Sequence, residues 1–323
     1  MKVLVTGGSG FLGSHLVRRM VSNGHDVRIL SRTASELSIL NDLAVETMVG
    51  DVSDAETVRA AVQDRDWVVH AAADLSYWRR HQERLRRVNV EGTRHVASAC
   101  RTEGVERLLF VSSIAAIGIP SDPQHPADED FPQDFAGLVL PYAVSKRLGE
   151  ELIAREIDRG LNAVIVNPAV IVGPYRGEYR GADMMNKVRR SPVVPYFSGG
   201  ICVVHVEDVV AGILGALQQA RTGHRYILGG ENLTYRAIVE RTAEAMGLKR
   251  RFVRVPPTIT GLLALTQTPT GWFRQNPPRF TYELHYLANR YRFHDWTKAR
   301  KELGYCPRDF TAILDECLRL GAC

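Results

Sequence analysis

The sequence predicts an α/β protein built on a doubly wound parallel sheet, followed by a smaller and less regular part. Three observations carry this expectation. Short β-branched runs alternate with amphipathic stretches through the first half, the pattern of βαβ units. A glycine-rich turn follows the first apolar run and opens a helical pattern. From Pro168 onward, Gly173-Pro174, Pro192, Pro195, Gly199-Gly200 and Pro256-Pro257 cut the pattern into short pieces. At 323 residues the chain has room for about two domains. With 45% apolar and 24% charged residues it is neither disordered nor collagenous.

Strands are expected at 2–6, 26–31, 45–49, 67–70, 107–112 and 163–167. The 11–23 segment places Leu12, His15, Leu16 and Met20 near helical spacing and stops at Gly24, a plausible C-cap. Crossover helices are expected at 88–103 and 142–158. The 122–141 segment carries Pro123, Pro126, Pro132 and Pro141 and is long for a loop, which makes it a candidate active-site loop.

Charge and cysteine content narrow the function classes. The 41 Lys plus Arg against 36 Asp plus Glu leave +5, enough to favour an anionic small molecule and too little to argue for nucleic acid. The five cysteines, Cys100, Cys202, Cys306, Cys317 and Cys323, show no Cys-x-x-Cys spacing and are expected as reduced thiols in a cytoplasmic protein. No apolar run reaches the ~18 residues of a membrane span, and a motif starting at Thr6 leaves no room for a signal peptide. Neither a nucleic acid nor a membrane is therefore expected as a partner.

The turn reads Thr6-Gly7-Gly8-Ser9-Gly10-Phe11-Leu12-Gly13. Gly7 would permit the tight turn, Gly10 the approach of a pyrophosphate to the helix N-terminus, and Gly13 close packing of helix on sheet. This context points to dinucleotide binding, with Ser9, Phe11 and Leu12 in the same run, and so to a Rossmann doubly wound parallel sheet. After the second strand stand Ser31-Arg32-Thr33, with Glu36 the first carboxylate. An Arg fork there matches a 2′-phosphate and favours NADP(H) over NAD(H). Asp51 and Val52 after the third strand, and Ala71, Ala72 and Ala73 after the fourth, fit the same groove.

Tyr142-Ala143-Val144-Ser145-Lys146 sets a phenol and an ammonium at i and i+4, on one helix face. A phenol titrates near ~10 and needs a nearby cation to shuttle protons at neutral pH. The fifth strand runs into Ser112 and Ser113 at the C-terminal edge of the sheet, where open α/β proteins bind ligands. Ser113 is the better placed to hold a substrate oxygen, with Ser112 the alternative.

These residues resemble the extended short-chain dehydrogenase/reductase family, of the NAD-dependent epimerase/dehydratase type. The likeness continues through Asn89-Val90-Glu91-Gly92-Thr93, Asn167-Pro168-Ala169-Val170-Ile171-Val172-Gly173-Pro174, Val204-His205-Val206-Glu207-Asp208-Val209 and Lys298-Ala299-Arg300-Lys301-Glu302-Leu303-Gly304-Tyr305. The resemblance implies Ser113, Tyr142 and Lys146 as a catalytic triad, with Asn89 supporting the lysine. It also implies that Pro168, Ala169, Val170 and Ile171 line the nicotinamide, and that the chain returns to the sheet near Val204. The implied division is a dinucleotide-binding domain over 1–170 and about 200–230, with a discontinuous substrate domain over about 171–199 and 231–323.

Within the family, nucleotide-sugar enzymes carry diphosphate-holding arginines that this chain lacks at the matching places. Ile201 precedes His205 where the first would stand, and 289–296 has no Arg-x-Gly-Asp. The pattern is similar to the dihydroflavonol 4-reductase and 3β-hydroxysteroid dehydrogenase branch. It implies a carbonyl reductase or alcohol dehydrogenase acting on a hydrophobic cyclic or aromatic small molecule, in a homodimer. The alternatives are a sugar-nucleotide 4-epimerase or dehydratase holding NAD, and a non-catalytic NADP sensor. Tyr77, Trp78, Phe131, Phe135, Tyr175, Tyr179, Phe197, Trp272 and Phe273 are candidates for an aromatic substrate wall or for core. Arg79, Arg80, Arg84, Arg86 and Arg87 read as a solvated helix before an anion site, and His205 as a packing residue, since no metal-ligand spacing accompanies it.

Overall fold

Strands whose residues are buried on both faces need helices on each side, and the computed structural model shows that arrangement. It describes residues 1–33, 38–76, 78–120, 122–132, 140–274 and 280–322, with only the backbone for 268–274. Glu36, Tyr77, Phe135 and Cys323, and the side chains of Trp272 and Phe273, lie outside the described residues.

The first half runs β1 (Lys2–Thr6), α1 (Phe11–Ser22), β2 (Asp26–Ser31), β3 (Glu46–Val49), α2 (Ala55–Val62), β4 (Trp67–His70), α3 (Gln82–Leu85), α4 (Gly92–Thr102), β5 (Arg107–Val111), α5 (Pro141–Ile157) and β6 (Ala163–Pro168). The second half holds β7 (Val170–Tyr175), β8 (Glu178–Arg180), α6 (Ala182–Arg190), β9 (Val193–Tyr196), β10 (Gly200–His205), α7 (Val206–Gln219) and β11 (Arg225–Leu228). It ends with β12 (Glu231–Thr234), α8 (Tyr235–Ala245), β13 (Arg251–Arg254), α9 (Pro257–Arg274), α10 (Tyr282–Ala288), β14 (Tyr291–Arg292), α11 (Thr297–Leu303) and α12 (Phe310–Arg319).

The main sheet has seven strands in the order β11-β6-β5-β4-β1-β2-β3, all parallel. Its order reverses between β1 and β4, so the crevice of a Rossmann fold opens beyond their C-terminal ends, at Thr6 and His70. One face packs Leu16, Val17 and Met20 of α1 with Val209, Val210 and Ile213 of α7. The other packs Val58 of α2, Val96 of α4 and Ile153 of α5.

Two expectations are corrected. The chain does not return to the main sheet near Val204: residues 200–205 form β10, which pairs with β7 and β12 in a smaller sheet, and the return strand is β11. An all-apolar run fits a buried strand of either sheet, so its composition does not choose between them. The helix expected over 88–103 begins instead with a π-helical stretch over Arg86–Glu91, which leads into α4. The wider turn contains Asn89, whose carbonyl accepts from Thr93 Oγ at 2.7 Å.

The smaller sheet, β12-β10-β7-β8 with β14 on β10, is covered by α6, α8 and α12 through Met185, Ile238, Ile313 and Leu314. β9 and β13 form a separate parallel pair. Cys100, Cys202 and Cys306 are free thiols, but Cys317 on α12 is disulfide-bonded, which corrects the expectation of five reduced cysteines. A Cys-x-x-Cys screen is blind to bonds at other spacings.

Candidate active site

The glycine turn is rigid because neighbouring backbone leaves no room for side chains. Gly7 has φ +73°, and a Cβ there would lie 2.7 Å from Ala72 N; a Cβ on Gly13 would lie 2.0 Å from Gly7 O. α1 then starts at Phe11 behind Gly10, with no side chain capping its first amides.

Beneath the turn a buried chain of hydrogen bonds crosses from β1 to α5. Ala72 N donates to Thr6 Oγ at 3.2 Å, and Thr6 Oγ lies 2.7 Å from His70 Nδ1. His70 Nε2 lies 3.1 Å from Thr93 Oγ, which donates to Asn89 O. Since the Thr93 hydroxyl proton is committed to that carbonyl, His70 must donate from Nε2 and accept at Nδ1. Burial holds this imidazole neutral, its pKa lowered to about 3, with the Lys146 charge adding to the effect. Asn89 Nδ2 donates to Asp74 O and to Ser145 Oγ, each at 2.9 Å, while its Oδ1 accepts from Asp74 N at 2.8 Å. Asn89 thus reaches α5 at Ser145, the residue before Lys146, rather than at the lysine itself.

A second buried cluster sorts the two serines. Ser112 Oγ donates to Glu150 Oε1 at 2.6 Å, Asn167 Nδ2 donates to the same oxygen at 2.6 Å, and Arg225 bonds the other oxygen at 3.1 Å. Ser112 is therefore committed to structure. Ser113 is half-buried, and its Oγ accepts from Ala115 N at 3.2 Å, on the edge of the cavity described next. Lys146 is buried, with Nζ donating to Val111 O at 2.8 Å and 5.0 Å from the Phe110 ring. Burial lowers its pKa to about 8, against a raising effect of Glu150.

Two cavities meet at Ala71 and Ala73. The first, about 400 Å³, brings together Ser113, Tyr142 and Lys146 with Phe11, Leu12, Pro168, Ala169, Val170 and Ile171. The second, about 610 Å³, is a groove lined by Gly7, Ser9, Gly10, Arg32, Asp51, Val52 and Ala72. Gly13 and Asn89 stand behind these surfaces and line neither. The expected site residues thus fall on two joined cavities or directly behind them.

Of the aromatic candidates for wall or core whose side chains are described, none lines the first cavity. Trp78 and Tyr179 are core residues, and Phe131 packs against the main core. Tyr175 lines the groove instead, its hydroxyl donating to Ser9 O at 2.9 Å, and Phe197 lines a separate cavity of about 200 Å³. The first cavity is walled mainly by aliphatic Leu75, Ile114, Ile119, Leu140 and Leu287, with Arg292 and His294 on one side. Of the 122–141 segment, Leu140 reaches the cavity, while Glu129 Oε1 accepts from Ile227 N at 2.8 Å and fastens the segment to β11.

Sequence reasoning missed Arg176 and Arg180, which flank the Tyr175 ring at 5.3 and 5.2 Å and line the groove. Their closeness to the turn depends on β7 and β8 packing across it, and no local motif announces that. It also missed the cation at Arg292, whose Nη2 donates to Tyr235 Oη at 3.0 Å. In the arginine cluster, Arg79 and Arg86 pair with Glu283 and Glu91, as an ion-paired helix would, while Arg84 pairs with Asp74 and lines the groove. His205 Nδ1 accepts from Glu207 N at 3.2 Å and caps α7. No cluster of three metal-ligating side chains occurs among the described residues.

Residues 3–229 match the model of the NAD dependent epimerase/dehydratase family. The chain is 34% identical over 313 residues to Sterol demethylase protein B of Methylococcus capsulatus, covering 95% of this chain and 94% of that protein. It is 31% identical over 274 residues to Ceramide reductase of Caulobacter vibrioides, covering 84% and 78%. The crystal structure of gox2253 superposes with a TM-score of 0.83 at 33% identity, covering 99% of both chains. Dihydroflavonol 4-reductase-like and 3β-hydroxysteroid dehydrogenase-like proteins are among the relatives as well.

Proposed function

The chain belongs to the NAD dependent epimerase/dehydratase family, the extended short-chain dehydrogenase/reductases, and from that premise we propose an NADP(H)-dependent oxidoreductase that interconverts a carbonyl and a secondary alcohol on an apolar cyclic or aromatic substrate. One observation carries the reading: Tyr142 and Lys146, both buried, share a wall of an aliphatic cavity with Ser113, and that cavity opens onto the glycine-lined groove.

The residues present fit a dinucleotide. Gly7, Ser9, Gly10 and Gly13 form a cradle that side chains would fill, and Arg32, Asp51 and Val52 stand at the far end of the groove. Arg176 and Arg180 add cations on its outer side. When bound, the nicotinamide would supply or accept the hydride. Tyr142 passes the proton to or from the substrate oxygen, which Ser113 holds by a hydrogen bond. Lys146, positioned by Val111 O, presents its ammonium to the same cavity. Leu75, Ile119, Leu140 and Leu287 exclude water and offer an apolar face to the substrate.

In this reading the dinucleotide-binding part comprises residues 1–170 together with α7 and the return strand β11, and the remaining residues form the substrate part. The protein would work in the cytoplasm, as a homodimer. Steady-state consumption of NADPH and NADH against steroid ketones, dihydroflavonols, aromatic aldehydes and a 4-keto sugar nucleotide tests the reading. NADPH-preferring turnover of an apolar carbonyl is expected. No consumption of either cofactor with any of these carbonyls, together with NAD held tightly through purification, would overturn it in favour of the epimerase or dehydratase reading, in which the hydride returns to the substrate without net oxidation and to which Arg292 in the cavity wall gives a cation. For the cofactor, Arg32→Glu is expected to weaken NADPH ~10-fold or more relative to NADH, the worth of charged hydrogen bonds. Equal effects on both would remove the 2′-phosphate contact.

A further inference from the structure

Over residues 257–267, the part of α9 whose side chains are described, the apolar residues point the wrong way for a helix that covers a protein core. Its inward face is small and polar: Thr260 Oγ lies 2.8 Å from His285 Nδ1 and accepts from Asn289 Nδ2 at 3.1 Å, and Ala264 is buried beside it. Its outward face carries Ile259, Leu262 and Leu265, exposed by 50, 63 and 68%, while Leu263 at its edge lines the small cavity beside Thr260. Scattered exposed apolar side chains need no explanation, but Ile259, Leu262 and Leu265 on one face of a helix within seven residues form a patch.

The charges of the segment that carries this patch are of one sign. In sequence no Asp or Glu occurs between Glu244 and Glu283. The strand that feeds α9 through Val255 and Pro256 is β13, and Lys249, Arg251 and Arg254 before and along it are all exposed. An apolar helix face bordered by cations, with no carboxylate in the segment, matches an anionic bilayer surface. A water-facing helix gains nothing from this arrangement, and a basic protein partner would be repelled by it.

We propose that α9 lies in the interfacial layer of an anionic lipid bilayer, its leucines among the acyl chains and the β13 cations on the phosphates. No helix among the described residues is long and apolar enough to cross a membrane, and lying on the surface is a different arrangement from spanning. α9 packs against α10, whose Leu287 lines the catalytic cavity, so docking would set that cavity close to the lipid surface. The proposal stands apart from the oxidoreductase reading, because lipid binding requires neither cofactor nor turnover.

The full chain is tested by flotation with vesicles of phosphatidylcholine plus phosphatidylglycerol, and of phosphatidylcholine alone. Binding to the anionic vesicles is expected, reduced by salt and much weaker without phosphatidylglycerol. Leu262→Gln with Leu265→Gln should lower the bound fraction ~10-fold or more, and Arg251→Gln with Arg254→Gln should remove the salt dependence. Melting temperatures should stay unchanged, since these side chains are exposed. A Leu262→Trp variant adds an independent readout: its added emission should shift to the blue when anionic vesicles are present. Absence of flotation, flotation unchanged by both double variants, or no blue shift would overturn the proposal. So would a parent dimer that the leucine variant dissociates and vesicles do not, because the face would then be covered by a second copy.

Discussion

On the sheet side of the catalytic cavity nearly every polar group is tied into the protein: Ser112 to Glu150, Lys146 to Val111 O, and Ser145 to Asn89 and onward to His70. Leu75, Ile119, Leu140 and Leu287, from four separate segments, line the same cavity with aliphatic side chains. Satisfied buried hydrogen bonds fix atoms in one arrangement, whereas aliphatic contacts tolerate exchange of similar volumes. In the proposed reading this difference assigns chemistry to the first wall and substrate choice to the second, and it can be broken from either side.

The largest effect is expected from Tyr142→Phe, which should lower kcat by ~10²–10⁴-fold while leaving cofactor affinity intact. Near-parental turnover, measured by steady-state kinetics beside cofactor titration, would remove the phenol from the chemistry. Glu150→Ala should cost about 3 kcal/mol of stability, because it leaves Arg225 without its buried partner and Ser112 and Asn167 without an acceptor. Denaturant unfolding measures this, and a loss below about 1 kcal/mol would mean that the tied wall is not held by this cluster.

The pH dependence sharpens the same contrast. Burial lowers the Lys146 pKa to about 8, so the ammonium is present below that value and lost above it. kcat/KM for reduction, which reports the free enzyme, should therefore fall above about pH 8. In stability the sign is opposite: between about 8 and the ordinary lysine range the unfolded chain holds the proton that the folded chain has released, so this group's contribution rises with pH. A stability difference between the parent and Lys146→Met that is flat with pH would contradict the assignment. The smallest effect belongs to the loose wall. Leu75→Ala, at a side chain 64% exposed, should change stability by less than about 0.5 kcal/mol. It should raise KM for an apolar substrate several-fold at nearly constant kcat.

Much of the tied wall was legible in the sequence. Thr6 to Gly13 lie within one strand-turn-helix, and Tyr142 and Lys146 within one turn of α5, so local periodicity brings each set together. The bounds of β1, β2 and β4 coincide with the expected segments for the same reason. The sequence already favours Ser113 over Ser112, but the bond that commits Ser112 to Glu150, 38 residues away, follows from no local rule. The π-helical turn at Arg86–Glu91 was invisible because its apolar spacing reads as ordinary helix.

By itself the sequence determined the main sheet's parallel α/β character, the glycine cradle and the phenol-ammonium pair, because periods of two and 3.6 residues and the special freedom of glycine act over a few residues. Only the tertiary structure decided that 200–205 joins the smaller sheet and that the return strand is β11. It alone also decided that the substrate wall is aliphatic and that the α9 leucines face outward. Each of these depends on which distant surfaces pack together, and an apolar residue's identity records that it prefers contact without recording its partner.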